Sequence, residues 1–254
     1  MIGRTRGIRF LSVLCCAALA ACSSHQQQPG ELSADSRLRI AQAAEEGGDP
    51  ELAAAMYGAA AASSNSDATV QLRVASGLAR AGKIPQAEEA LRLGLAAHPG
   101  QPDLLRAMGL VHLVGGPPEQ AGSELTQVLA IRPNDVPTMV DKAVALDMSR
   151  HHAEAQQIYR QALALAPDDP EIRNNMAVSM MLEGRLAEAE AQLAPMKYSE
   201  ASSERMKNNL GVIYAATGDT GEARRLLGDG ISAEALTVLT RAIPKLPASS
   251  AIVQ

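Results

Sequence analysis

The five histidines are the side chains in this sequence best suited to proton transfer or metal binding, but no catalytic or metal-binding motif includes them. His25 lies in a polar N-terminal stretch, His98 at the end of a predicted helix and His112 inside one. His151 and His152 are adjacent in a predicted turn, where we expect solvent. The sequence has no HExxH pair, no nucleophile elbow and no phosphate-binding glycine loop. We therefore predict no enzymatic activity, no metal ion and no small-molecule substrate.

The three cysteines all lie within the first 22 residues. Arg4, Arg6 and Arg9 precede an uncharged, largely apolar segment from Phe10 to Ala21, a pattern typical of an export signal. A membrane-spanning helix needs about 20 apolar residues, so this segment is too short to remain in the bilayer. We predict that residues 1–21 are removed as a signal peptide. Two of the cysteines would leave with it, so no disulfide is expected in the mature chain.

The end of this segment, Leu19-Ala20-Ala21-Cys22-Ser23, resembles the lipobox of bacterial lipoproteins. In that family the cysteine receives a diacylglycerol and an N-acyl chain, so the resemblance implies lipidation of Cys22 and no other cofactor. Two or three acyl chains hold a protein on a membrane essentially permanently. Ser23 stands where inner-membrane lipoproteins carry Asp, which implies an outer-membrane location facing the periplasm. The alternative is an ordinary secreted protein with a chance cysteine.

The overall composition favours closely packed helices. Hydrophobic residues make up 46% of the chain, yet aromatic residues make up 2% and tryptophan is absent. Sheets are enriched in aromatic and β-branched residues, so an all-β or α/β fold is disfavoured. The net charge of -5 excludes a strongly basic nucleic-acid-binding protein. The apolar content also argues against intrinsic disorder, and we predict an all-α protein.

A 34-residue period runs through the sequence from residue 34 onward. Pro99, Pro133 and Pro167 are 34 residues apart, and each closes a similar phrase. Extending the period in both directions gives six units without an insertion: 34–67, 68–101, 102–135, 136–169, 170–203 and 204–237. Residues 22–33 are predicted to form the lipidated cysteine and a flexible tether. Residues 238–254 are predicted to be the end of a capping helix and a frayed tail.

Two columns of the repeat contain only small residues. Position 8 holds Ala41, Ala75, Gly109, Ala143, Ala177 and Gly211, and position 20 holds Ala53, Ala87, Ala121, Ala155, Ala189 and Ala223. Position 15 holds glycine in five units, suited to a left-handed turn, with Arg150 as the exception. These columns resemble the tetratricopeptide repeat, whose small residues lie where the two helices of a unit cross. The resemblance implies a right-handed α-solenoid of six helix-turn-helix repeats with a C-terminal capping helix.

In tetratricopeptide repeats, positions 5, 9, 12 and 13 of the first helix line a concave groove. The candidate partner-binding residues in this register are Leu110, Leu113, Val144, Met148, Asn174, Val178, Met181, Asn208 and Val212. The groove changes from polar to aliphatic after the second unit, which favours an apolar or amphipathic protein segment as partner. The two asparagines would hold a peptide backbone through their amides. Alternatively, the aliphatic residues pack against a neighbouring helix, the C-terminal cap or the tether.

The phrases NNMAVSMM and NNLGVIYA, which begin at Asn174 and Asn208, resemble the TadD family of Tad/Flp pilus assembly lipoproteins. This resemblance implies a pilotin-like role, in which the protein binds secretin or other pilus-assembly subunits in the periplasm and guides them to the outer membrane. One alternative is a cell-envelope scaffold that docks peptidoglycan enzymes or other envelope proteins. Another is an adaptor that regulates an enzyme, because repeats alone do not specify the cargo.

Overall fold

The computed structural model describes residues 32–64, 66–200 and 202–228. Within these residues the chain forms twelve α-helices and one short 3-10 helix, with no strand, so the all-α prediction is confirmed. The helices are α1 (Ala34–Glu46), α2 (Pro50–Ser63), α3 (Ala68–Arg80), α4 (Ile84–Ala97), α5 (Pro102–Gly115), α6 (Pro118–Ile131), α7 (Val136–Met148), α8 (His152–Leu165), α9 (Pro170–Leu182), α10 (Leu186–Leu193), α11 (Glu204–Thr217) and α12 (Thr220–Leu227). The predicted signal peptide, Cys22, His25, the capping helix and the tail lie outside the described residues.

The helices form six successive pairs. The first helices begin at residues 34, 68, 102, 136, 170 and 204, and the second helices at 50, 84, 118, 152, 186 and 220. Each helix packs on the next along the chain, and each first helix also contacts the first helix of the following pair. First helices therefore lie side by side along one surface of the solenoid, because each pair buries its apolar face against its neighbours.

Short polar side chains and prolines fix where the helices start. The Asp67 carboxylate accepts hydrogen bonds from the backbone N–H groups of Thr69 and Val70, at 2.9 and 3.2 Å. Such bonds satisfy donors that have no partner inside the helix. Side-chain caps of this kind come from Ser33, Asp49, Asp67, Asp135, Asp169, Ser203 and Asp219. Proline is the first residue of α2, α5, α6 and α9, where its missing N–H costs nothing.

The small-residue columns lie at the helix crossings, as predicted. Every alanine in the two columns is at most 1% exposed. A Cβ atom added at Gly109 would lie 2.9 Å from Cγ of Leu125, and one added at Gly211 would lie 2.6 Å from Cγ of Leu227. The two helices of these units are therefore so close that even a methyl group would displace the leucine.

The turns inside the units show one wrong prediction and one strained residue. Gly48, Gly82, Gly184 and Gly218 have positive φ angles between 71° and 93°. Gly116 was expected to be left-handed and is extended instead, with φ −118° and ψ −171°. The physical reason is that a proline follows it, and the residue before proline is driven towards extended conformations. Arg150 keeps the left-handed conformation without being glycine, with φ 65°.

The second helix of unit five is short because of a proline. α10 ends at Leu193 and continues as a 3-10 helix over Ala194–Met196, which contains Pro195. Proline cannot donate the next hydrogen bond of an α-helix, so the helix stops there.

Candidate partner-binding groove

The nine candidate groove residues are exposed to very different degrees. Leu110 is 37% exposed, and Asn208 is also exposed. Val144, Met148 and Val212 are half-buried. The remaining four are at most 9% exposed: Leu113, Asn174, Val178 and Met181. These four side chains therefore offer little surface to a partner. The prediction that they line an accessible groove is corrected accordingly.

Helix geometry explains why position 12 turns inward. Leu113 and Met181 follow the helix-crossing residues Gly109 and Ala177 by four positions, so they share their face of the helix. That face packs against the second helix of the unit. Leu113 accordingly joins a buried cluster with Leu125.

The two asparagines of the predicted peptide clamp have different environments. Asn174 is 1% exposed, and its Oδ1 accepts a hydrogen bond from Nδ2 of Asn209 at 2.9 Å. This bond joins α9 to α11, so Asn174 connects two units and does not present its amide to a peptide. Asn208 is exposed and does not share this bond.

Accessible apolar surface in the groove is concentrated in units three and four. Leu110 and Val114 are 37% and 57% exposed and lie four residues apart, on one face of α5. Val144 and Met148 occupy the neighbouring first helix, α7, where they pack partly against a small buried cluster. We refer to these four residues as the apolar strip.

An ion pair joins the two helices that carry the apolar strip. Arg106 of α5 donates from Nε to Oδ2 of Asp141 on α7 at 2.8 Å, and its Nη2 lies 2.7 Å from the same oxygen. Burial raises the pKa of Asp141, although the arginine opposes that change. The pair therefore holds α5 against α7 at a partly buried site and fixes the geometry of the strip.

The first two units contain a different kind of surface, which the sequence reasoning missed. A cavity of about 200 Å³ lies on the first helices α1 and α3, over the Tyr57 ring of α2. Its lining residues are Leu38, Gln42, Tyr57, Leu72, Arg73, Ser76 and Arg80. The available signal was the pair of arginines seven residues apart on α3, at positions 6 and 13 of unit two.

A buried polar network connects units four and five. Asp147 is 1% exposed, and its Oδ1 accepts a hydrogen bond from Ser179 Oγ at 2.6 Å and lies 2.8 Å from His152 Nδ1. Gln156 donates from Nε2 to Ser179 Oγ and to Glu183, at 3.3 and 2.8 Å. Burial raises the pKa of Asp147, although Ser179 and His152 oppose that change. These contacts use short polar side chains to join α7, α8 and α9.

The histidines do not converge on one site. The prediction of a solvated turn holds for His151, whose side chain is 56% exposed, and is wrong for His152, at 12%. His112 lies 2.9 Å from Glu124, and Nε2 of His98 lies 2.7 Å from the Ser66 carbonyl oxygen. Within the described ranges, no three acidic, histidine or cysteine side chains come close enough together to bind a metal ion. None of the described helices has the length and apolar character needed to cross a bilayer.

Two stretches of the chain, residues 38–102 and 148–209, each match a sequence model of the tetratricopeptide-repeat family. Together they make up half of the chain. This is a tetratricopeptide-repeat protein. Its fold is typical of non-catalytic scaffolds that bind protein partners, and no enzymatic family is indicated.

This tetratricopeptide-repeat protein is similar to one known sequence and to several solved structures. It is 36% identical over 75 residues to the protein y4yS of Sinorhizobium fredii, a match that covers 30% of this chain and 41% of that protein. A tetratricopeptide repeat protein from Parabacteroides merdae superposes with a TM-score of 0.67 at 16% identity, covering 83% of this chain and 84% of that one. PilW, a type IV pilus biogenesis factor, superposes with a TM-score of 0.66 at 20% identity, covering 82% and 98%.

Proposed function

We propose that this protein binds an apolar or amphipathic protein segment through the apolar strip. The observation that carries the proposal is the exposure of Leu110 and Val114 on a first helix of the solenoid, beside Val144 and Met148. Burying a fully exposed aliphatic side chain stabilises a complex by about 1.5–3 kcal/mol, so even half-exposed residues provide a useful driving force. An amphipathic helix would place residues at i, i+3 and i+4 over the strip.

Replacing Leu110 and Val114 together by Asp tests this proposal. Both side chains are exposed, so the charges remain solvated and circular dichroism should show unchanged helicity. Capture of the partner by the full chain should be lost. Ile131→Asp is the matched control, because Ile131 is also a large exposed apolar residue, at 54%, but lies at the end of the second helix α6. Partner capture that survives the double substitution would contradict the proposal.

We propose further that the chain is lipidated at Cys22, resides on the outer membrane facing the periplasm, and assists assembly of a Tad/Flp pilus secretin in a pilotin-like role. The resemblance of residues 19–23 to the lipobox and of the phrases at Asn174 and Asn208 to the TadD family supports this proposal. The fold it shares with PilW, a pilus biogenesis factor, is compatible with it.

The lipid anchor is tested by Cys22→Ser. Without the thiol no diacylglycerol can be attached, so the protein should disappear from the outer-membrane fraction. Cys15→Ser and Cys16→Ser are matched controls, because both cysteines lie inside the predicted signal peptide. Outer-membrane recovery of the Cys22→Ser protein at the level of the controls would refute lipidation.

The partner is tested by a detergent pull-down of the full chain from cells, followed by identification of the bound proteins. The pilotin-like role predicts recovery of a secretin, and the Leu110→Asp, Val114→Asp double variant should not recover it. Recovery of peptidoglycan enzymes without pilus subunits would overturn the pilus assignment and favour the cell-envelope scaffold.

A further inference from the structure

The cavity of units one and two has an apolar floor. Leu38 and Tyr57 are each 1% exposed, and they close the bottom of the cavity between α1 and α3. Gly77 allows the tyrosine ring to lie there, because a Cβ atom at residue 77 would come within 2.1 Å of it. The ring is also held by its hydroxyl group, which donates to Glu45 at 3.0 Å. The floor is therefore rigid and preformed.

Two arginines belong to the same cavity as this floor. Arg73 and Arg80 both line the cavity and lie two helical turns apart on α3, so their Cα atoms are separated by about 10 Å along the helix. Arg73 donates one N–H to Asp35 at 3.3 Å, and Arg80 donates to Glu45 at 2.7 and 3.1 Å. The arginine side chains remain 41% and 55% exposed.

These ion pairs leave the arginines able to bind a further carboxylate. Exposed ion pairs contribute about 0–1 kcal/mol, so a partner carboxylate can share or replace the existing acceptor at little cost. A guanidinium group has five N–H donors in a planar fork that matches a carboxylate. Each arginine already faces one carboxylate of the chain, Asp35 or Glu45, so an acidic segment would bind by sharing or exchanging these acceptors and not through an excess of positive charge.

The size of the cavity limits what can enter it. Pockets for small-molecule ligands measure about 300–1,000 Å³, whereas this cavity of about 200 Å³ suits one aliphatic side chain. In an extended peptide alternate side chains point the same way, so residues i, i+2 and i+4 face one surface. Residues i and i+4 are then about 13 Å apart, a span that the two flexible arginine side chains can match.

We propose that this cavity binds an extended protein segment of the pattern acidic–x–aliphatic–x–acidic. The aliphatic side chain enters the cavity above Leu38 and Tyr57, and the two carboxylates pair with Arg73 and Arg80. The inference shares with the proposed function only the premise that the partner is a protein, since it concerns a surface separate from the apolar strip.

Binding of a blocked peptide to the full chain in a mild detergent tests this directly. The probe is acetyl-Ser-Asp-Ser-Leu-Ser-Asp-Ser-amide, whose ends carry no charge, and binding is measured by isothermal titration calorimetry. Replacing both Asp residues by Asn should abolish saturable binding. Acetyl-Ser-Ser-Asp-Leu-Asp-Ser-Ser-amide, which has the same composition but points its carboxylates away from the leucine side, should bind more weakly. Equal binding of all three peptides would overturn the proposal.

Substitutions in the cavity identify the site. Arg73→Gln and Arg80→Gln should each lower the affinity for the Asp-containing peptide about fivefold. Raising the salt concentration should weaken binding of the peptide to the unmodified chain. Ser76→Leu should block binding by filling the cavity while both arginines remain. Arg92→Gln is the matched control, since Arg92 forms an exposed ion pair with Glu89 on α4, outside the cavity lining. Unchanged affinity in the Arg73, Arg80 and Ser76 variants would refute the site.

Binding at the cavity and binding at the apolar strip can be tested independently. Leu110→Asp should leave peptide binding unchanged, because Leu110 is absent from the cavity lining. Loss of peptide binding in that variant, with helicity intact, would contradict a separate site in units one and two.

Discussion

Glu45 in unit one and Asp147 in unit four occupy the same repeat position, and each belongs to a unit with a tyrosine at position 24. The Glu45 side chain is 29% exposed and is shared by Tyr57 and Arg80. The Asp147 side chain is 1% exposed and is held by Ser179 and His152.

The neighbouring residues account for this difference. Position 10 of the following unit is Gly77 beside the first pair and Ser179 beside the second, so only the second pair receives a hydroxyl donor from the next unit. Glu45 is one methylene longer than aspartate and reaches Arg80 at the surface, whereas Asp147 is bound within the fold by short side chains.

The comparison shows how one repeat position can serve two purposes. A partly exposed acid paired with an exposed arginine can exchange partners, so unit one is suited to recognition. A buried acid held by His152 of its own unit and Ser179 of the next cannot exchange partners without leaving these donors unpaired, so Asp147 serves to join unit four to unit five. Substitutions at matching positions of units one and four should therefore have unequal effects.

Removing the two carboxylates should give the largest difference. Asp147→Ala leaves Ser179 and His152 without their shared acceptor at a buried site, so unfolding free energy should fall by about 3 kcal/mol. Glu45→Ala breaks a partly exposed pair and should cost about 1 kcal/mol or less. Urea-induced unfolding followed by circular dichroism measures both values. Equal losses would remove the distinction between the two units.

The turns that precede the second helices of the same two units should respond in opposite directions. Arg150 has a φ angle of 65°, a conformation that costs a non-glycine residue about 1–2 kcal/mol. Arg150→Gly should therefore stabilise the protein by about 1 kcal/mol. Gly48 has a φ angle of 74°, so Gly48→Ala should destabilise it by about 1 kcal/mol. The check is the change in urea midpoint, and a destabilising Arg150→Gly would show that the turn is not strained.

The two tyrosine hydroxyls should also contribute unequally to the stability of the protein. Tyr57→Phe removes a hydrogen bond to the Glu45 carboxylate and should cost about 1 kcal/mol. Burial, followed by the nearby Asp147 carboxylate, raises the pKa of Tyr159, but its hydroxyl makes no hydrogen bond of normal geometry, so Tyr159→Phe should be neutral or slightly stabilising. Thermal unfolding of the two variants side by side distinguishes them. A larger loss for Tyr159→Phe would contradict the expected order.

The smallest expected effect is on the pH dependence of stability, to which Glu45 and Asp147 should contribute with opposite signs. The hydrogen bond from Arg80 lowers the pKa of Glu45, so its contribution is present above the unfolded pKa of about 4.3 and is lost as pH falls. Burial raises the pKa of Asp147, so its contribution is present below about 3.9 and is lost as pH rises through the folded value.

Replacing each carboxylate by its isosteric amide separates these two contributions to stability. Between about pH 3 and 6, Glu45→Gln should gain on the unmodified protein as pH falls, and Asp147→Asn should gain as pH rises. Unfolding free energies from urea titrations at several pH values provide the comparison. Parallel profiles for the two variants would show that the carboxylates have similar environments.

The sequence alone determined the helical architecture, because its signals are local and repeated. Small residues at the crossing columns, proline at helix starts and Pro195 just after α10 each act within one or two turns of chain. The small-residue columns predicted the paired helices, and Pro195 accounts for the short second helix of unit five. The wrong prediction of a left-handed conformation at Gly116 also has a local cause, since the proline that follows it favours an extended backbone.

The groove could be predicted only in part. Leu110 was identified correctly as an accessible apolar residue, but Asn174, Val178 and Met181 are buried. The repeat register gives the face on which a residue lies, whereas its exposure depends on side chains contributed by neighbouring units. The cavity of units one and two was missed for the same reason, since it needs α1, α2 and α3 together.

The sequence therefore determined which residues repeat, which helices pair and which positions must be small, since these properties follow from a period of 34 residues. Only the tertiary structure decided that Glu45 is accessible and Asp147 is not, and that Arg73 and Arg80 flank a cavity. The physical reason is that burial and partner geometry are set by contacts between units, in which residues about 30–40 positions apart meet.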